Sequence, residues 1–245
     1  MAICSQTAGS DAATKLTVLM LWLLLAAFVV YPLARLLLMA FTADGSFTLA
    51  NLRPFIDSWY DRQAAVNSIL LGCSVGLAGT VLGFIFAYAV TRLSMPKWLK
   101  MAVSAVTLLP LISPPFTSSI ALTLSLGPNG ILLELLGLGN FNFYGFWGTF
   151  ISETLTFFPV AFMTLSTILA RIDPNLEDAA YSLGASSFKV FRSVTLPLAA
   201  PGIANAFLLV FSCSLADFAT PQVLGGHSFP VLPTQAYLQI TGMYD

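Results

Sequence analysis

Ionisable and nucleophilic side chains are scarce in this chain of 245 residues, and their positions limit the chemistry open to it. The single histidine, His227, and the three cysteines, Cys4, Cys73 and Cys213, have neither the spacing of a metal site nor that of a disulfide framework. They also supply no nucleophile and base for an intramembrane hydrolase. The phosphate-binding pattern G-x-x-x-x-G-K-[ST] is absent, so any nucleotide chemistry must come from another subunit. No catalytic residue, metal ligand or cofactor is expected. Two acids remain. Glu153 stands inside an apolar run, and Asp217 ends another and opens DFATPQVLGG, where Pro221 and Gly225-Gly226 forbid a regular helix. An ionisable group in a membrane helix is costly unless it faces a cavity or a partner, so both acids are candidates to line a pathway. For Glu153, a place near the outer boundary within reach of interfacial water fits equally well. The segment after Asp217 reads as a re-entrant or external gate loop.

The polar stretch from Ile172 to Gly202 could act mechanically. Asp173 can N-cap a helix whose first residue is Pro174, and Glu177 and Asp178 place negative charge near the positive end of its dipole. Gly184 then lets the chain turn. A second short run, Ser187 to Ser193, carries Phe188 and Phe191 with Lys189 and Arg192, before Leu196-Pro197 starts the next apolar segment. This predicts a short helical hairpin lying across the membrane surface.

The elements that must hold these residues are membrane spans. Hydrophobic residues make up 57% of the chain and charged residues 9%, against about 25% charged in an ordinary soluble domain. The net charge of −1 and the dispersed basic residues argue against nucleic acid as a partner. The first apolar run, Leu16 to Ala34, is too long for a signal-peptide core and lacks an A-x-A exit, so it reads as a retained span. Further spans are expected near Ser68 to Thr91, Ala102 to Leu124, Phe146 to Ala170 and Val194 to Leu215. Each is long enough to cross a hydrocarbon core of about 30 Å as a helix. The fold class is therefore an all-α polytopic bundle of about five transmembrane helices.

Arg92, Lys97 and Lys100 sit between spans two and three, and Arg171, Lys189 and Arg192 between spans four and five. The opposite loops carry Arg53 and Arg62 in one case and only Glu134 in the other. The positive-inside rule then puts the N-terminus and the polar hairpin in the cytoplasm. In span two, Gly72, Gly76, Gly79 and Gly83 recur on one helical face and form a close-packing seam, which serves intrachain packing or a subunit interface equally well. In span three, Pro110, Pro114 and Pro115 remove backbone donors and break the helix beside a pathway or a tight helix contact.

The hairpin carries a resemblance. Asp178-Ala179-Ala180, Gly184, Val194 and Leu196-Pro197 follow the E-A-A, three residues, G, nine residues, I, one residue, L-P pattern of the permease subunits of binding-protein-dependent ABC importers. Asp stands for Glu and Val for Ile. NSILLG at Asn67 to Gly72 and LLPLISPP around Pro114 and Pro115 are similar to the same family. DFATPQVLGG resembles the branch serving ferric iron, polyamines, phosphonates, sulfate or thiamine, and VLPTQAYLQITGMYD is most similar to ferric-iron members.

The resemblance implies a type I importer permease fold (MetI-like) and a cytoplasmic ABC ATPase subunit as partner. It also implies a periplasmic or lipoprotein solute-binding protein, a second permease half or a homodimer, and an inner-membrane location. In such a protein Glu177, Asp178, Ala179, Ala180, Gly184, Leu196 and Pro197 would form the ATPase-coupling loop. The organisation read from the chain is a cytoplasmic N-terminus at 1–15, a first span at 16–41, a periplasmic loop at 42–67 and a permease domain at 68–245 with its coupling loop at 171–197. Too few consecutive apolar residues follow Asp217 for a sixth crossing, which leaves the chain's end outside. Ferric-iron permeases have a further span and commonly a second half, so the resemblance implies that the 245 residues are the N-terminal part of a longer permease. A secondary transporter using Glu153 and Asp217 as an ion relay would also explain buried acids and broken helices, but would leave the capped hairpin without a task.

Overall fold

The computed structural model describes residues 3–43, 45–53, 57–127, 130, 135 and 143–242. Glu134, expected in an external loop, lies outside the described residues. The chain forms two compact units, Met1–Trp59 and Tyr60–Asp245.

In the first unit, helices α1 (Ile3–Leu25) and α2 (Tyr31–Phe41) are joined by the π-turn Ala26–Val30. Tyr31 N–H bonds to Ala26 O, five residues back, immediately before Pro32 removes the next donor. The helical chain therefore starts well before Leu16, and Ala13–Phe41 is apolar and long enough to cross a membrane. Its large side chains, Trp22, Phe28 and Met39 among them, are exposed, and lipid would be their solvent. A hairpin of β1 (Thr42–Ala43) and β2 (Ser46–Phe47) follows, with Phe47 stacked on Phe41.

The second unit is a bundle. Its long helices are α3 (Trp59–Arg92), α6 (Phe146–Arg171) and a third built from α8 (Ser187–Val190), the π-turn Phe191–Thr195 and α9 (Leu196–Ala216). Helix α3 begins nine residues before the expected boundary at Ser68, so part of the expected 42–67 loop is helical. The expected third span is not one straight helix. Its parts, α4 (Lys97–Ile112) and α5 (Pro115–Leu126), meet at 101° across an extended Ser113-Pro114. With 16 residues α4 reaches about 24 Å, short of a hydrocarbon core of about 30 Å. Four described helices thus pass as spans, or five if the bent pair counts as one.

The core lies where α3, α6 and α9 meet, around Leu71, Val75, Phe162, Leu165, Ala206 and Val210. The glycine seam makes this contact possible within the chain. A Cβ at Gly72 or Gly76 would meet Phe211 or Phe207 of α9 at 3.0 and 2.8 Å, and one at Gly79 would meet Val210 at 3.1 Å. At Gly83 it would lie 2.6 Å from the Ala161 Cβ and 2.7 Å from Phe162 N. Between the two readings of the seam, the described contacts are those of intrachain packing.

The two ends of this unit differ. At one end Arg92 Nη2 donates to Ile172 O, bringing the two cation-bearing connections together. At the other, Asn67 Nδ2 donates to Pro230 O at 2.9 Å and Leu232 N to Ser68 Oγ at 2.8 Å, tying the start of α3 to α10 (Leu232–Thr241). Gly145 N donates to Leu224 O at 2.7 Å, which ties the start of α6 to the π-turn Pro221–Gly225. The segment after Asp217 is therefore an ordered set of short turns, and α10, with 10 residues, is too short to cross a membrane.

Candidate functional site: a capped hairpin and a buried polar cluster

The hairpin is built as its residues dictate. Helix α7 (Pro174–Ser182) has Asp173 as N-cap, its Oδ1 accepting from Asn175 N at 3.0 Å, and Pro174 in the first position. It ends in a Schellman closure. Gly184 N donates to Tyr181 O and Ala185 N to Ala180 O, at 2.9 and 3.1 Å, with Gly184 at φ +80°. Nothing crowds Gly184, so its backbone angle is what calls for glycine there.

The second arm departs from the expected surface helix. Ser187 to Ser193 runs without a break into α9, so only α7 stands as a separate short helix, and α8 is the foot of a span. The cause is again a proline. Leu196 N–H bonds to Phe191 O, and Pro197 then removes the next donor, so the helix widens to a π-turn instead of ending.

Asp178 and Ala179 are exposed, as are Leu176, Tyr181, Leu183 and Phe188, whereas Ala180 is half-buried. Glu177 points elsewhere. Its Oε1 lies 3.1 Å from Arg92 Nε, an ion pair without hydrogen-bond geometry, and accepts from Thr195 Oγ1 at 2.8 Å. Leu196 lies at the edge of exposure and Pro197 is exposed, in the first turn of α9. Arg92 and Thr195 are the residues that reading the loop pattern alone misses, since one lies in another span and the other at an unspecified position of the pattern.

The acids sit toward the other end. Of the two placements open to Glu153, the structure shows the buried one, with no exposed surface. One carboxyl oxygen accepts from Ser214 Oγ of α9, and the other, Oε1, has no hydrogen-bond partner among the described residues. Asp217 is also buried. Its Oδ1 accepts from Ala219 N at 2.9 Å, while Oδ2 has no hydrogen-bond partner among the described residues. Ser119 of α5 stands 3.4 Å from Ser152 Oγ and 3.3 Å from Thr220 Oγ1, so hydroxyls from three elements join beside Glu153's helix turn. Pro114 is exposed at the bend that brings α5 to this cluster, and Pro115 begins α5. Unpaired carboxyl oxygens this deep are costly. Among the described residues, no three His, Cys, Asp or Glu side chains could share a metal ion.

Residues 79–243 match the family model described as "Binding-protein-dependent transport system inner membrane component". The chain belongs to this family. Among curated permeases, the putative ferric transport system permease protein FbpB 1 of Haemophilus influenzae is 36% identical over 226 residues, 90% of this chain and 35% of the relative. The ferric transport system permease protein FbpB of Actinobacillus pleuropneumoniae is 36% identical over 90% of this chain and 32% of its own length. The chain thus spans about a third of those two relatives. The spermidine/putrescine permease protein PotC of Haemophilus influenzae is 27% identical over 74% of the chain. A bacterial alginate ABC transporter, solved with an alginate pentasaccharide-bound periplasmic protein, aligns over 97% of this chain and 86% of its own, with a TM-score of 0.76 at 19% identity. That likeness shows the fold, a helical permease bundle. As a permease-family member the chain is a multi-pass membrane component of transport machinery, and its relatives are not enzymes.

Proposed function

We propose that this chain is a transmembrane permease component of an ATP-driven importer of the inner membrane, and that the solute is ferric iron. The observation that carries the transport reading is the α7 hairpin. A short helix capped at both ends turns Glu177 inward and leaves Asp178, Ala179, Leu183 and Phe188 exposed between two spans, a face open to a partner. It is suited to a groove on an ATPase subunit, with the small Ala179 allowing close approach and Asp178 giving a polar contact. Closure of two such ATPases around ATP would push α7 and tilt the spans, biasing an inward-facing to outward-facing equilibrium. The six cations at the hairpin end support, by the positive-inside rule, a cytoplasmic position for that end and for the N-terminus.

Ferric iron is favoured over polyamines and sulfate because the ferric permeases are 36% identical to the chain, against 27% for PotC and 29% for a probable sulfate permease. Hard cations prefer oxygen donors, and the free oxygens of Glu153 and Asp217 with the surrounding hydroxyls offer only such donors. In this reading a receptor delivers the solute to the end holding α10, and the two acids line its way.

The test is uptake of ferric iron by proteoliposomes holding the intact importer with its receptor and ATPase. Wild type should accumulate iron only with ATP and receptor. Glu153→Gln, which keeps an acceptor for Ser214, should lose uptake by about tenfold or more while the complex still assembles, a loss of about 1.4 kcal/mol in barrier terms. Uptake of spermidine in place of iron would overturn the solute, and normal iron uptake by Glu153→Gln would remove that acid from the pathway.

A further inference from the structure

The end of α3 is fastened to the hairpin by a side chain that lies outside the coupling-loop pattern. Arg92, the last residue of α3, contacts Glu177 of α7 through Nε at 3.1 Å and donates from Nη2 to Ile172 O, just before α7, at 3.3 Å. Glu177 Oε1 also accepts from Thr195, which is 1% exposed at the foot of α9. The Arg92 and Glu177 side chains keep only 12% and 15% of their surface exposed, so the pair is far less screened than a surface ion pair. The same π-turn that holds Thr195 begins with Phe191, whose ring meets Tyr88 edge-on at 5.6 Å and Phe84 at 6.0 Å, both on α3. The aromatic contact thus binds α3 to the foot of α9, while the ion pair binds α3 to α7, which Thr195 ties in turn to that foot.

We propose that Arg92 is a positioning residue of the coupling hairpin. Through Glu177 and Thr195 it locks α7 to the end of α3 and the foot of α9, so that a push on α7 moves all three as one body. Without the lock, α7 would swing on its two ends, Ile172-Asp173 and Gly184, and its motion would be lost before reaching the spans. The role in coupling rests on α7 being the ATPase contact, whereas the lock itself is a property of this chain.

The experiment measures the distance between spin labels at Ser94→Cys and Ser182→Cys, both exposed, in the intact importer with its native cysteines replaced. Transport per ATP hydrolysed is measured alongside. In wild type the distance should be narrow and the same in nucleotide-free and ATP-trapped complexes. Arg92→Gln should broaden it and lower transport per ATP by about fivefold or more, the low end of a typical coupling free energy. Arg92→Lys, which keeps the charge, should recover most of the loss. A wild-type distance that changes with ATP, or an Arg92→Gln protein with unchanged width and unchanged transport per ATP, would overturn the lock. The wild-type comparison stands even where Arg92→Gln fails to assemble. If no ATPase binds, the importer reading fails, and the Arg92→Gln width alone decides the lock.

Discussion

Gly184 shows how a single residue can hold a function without touching anything. It sits at φ +80° with open space around it, and its N–H closes the end of α7. An L-residue in that conformation costs about 1–2 kcal/mol, and a β-branched one more. Gly184→Val is therefore expected to insert normally, since no neighbour is displaced, but to unwind the end of α7. Receptor-stimulated ATPase activity in the reconstituted importer should fall or lose its link to transport, whereas wild-type coupling in the Val protein would mean that α7 is not the joint. Much of this was legible in the sequence, because Asp173, Pro174 and Gly184 act through local backbone chemistry that needs no knowledge of neighbours. The direction of Glu177 was not. Its partners Arg92 and Thr195 come from other helices, and nothing in the spacing of charges reports which of two adjacent acids faces inward. Glu153 was visible as an anomaly in an apolar run, but its complete burial depends on how α9 packs over α6.

The helices show where periodicity and composition stop being informative. The lengths of apolar runs located four spans, yet a π-turn carries the last of them back from its expected start at Val194 to Ser187, and another keeps the first helical across Ala26–Val30. In both cases the turn closes one residue before a proline, at Tyr31-Pro32 and Leu196-Pro197. A proline in the sequence signals a lost donor without saying whether the helix ends, kinks or widens. The third expected span breaks at Pro114 and Pro115, as its prolines suggest, with a bend of 101°, whereas Pro110 stays inside α4. The glycine seam was legible as a seam, while its partner was not.

That seam gives a graded prediction. At Gly83 a methyl group would meet Ala161 and the Phe162 backbone, which cannot step aside, whereas at Gly72 it would meet a Phe211 ring edge that can rotate. Gly83→Ala should destabilise the bundle by about 1–3 kcal/mol, the usual cost of overpacking, and Gly72→Ala by less. Thermal unfolding in detergent, followed by exposure of Cys73 or Cys213 to a thiol dye, would check the order. Equal midpoints for the two variants would contradict the packing.

For the molecule as a whole, sidedness is the claim that binds the parts together. The ends of the second unit are distinct, one gathering Arg92, Ile172 and Glu177, the other Asn67, Leu224 and Pro230. Cysteines placed at Lys97 and Ser187 should react with an impermeant reagent only from the cytoplasm, and one at Gly226 only from outside. Labelling of the Ser187 position from outside would end the importer reading, because no ATPase could reach the hairpin.

What α7 touches decides whether it is the joint to an ATPase. A photoreactive residue at Ala179, exposed in the middle of α7, would be activated in native membranes holding the whole importer. One dominant adduct is expected, to a subunit carrying a nucleotide-binding G-x-x-x-x-G-K-[ST] loop, with a yield that changes when ATP is trapped. Adducts to lipid alone, or to none of the ATPase subunits while the complex is transporting, would contradict it.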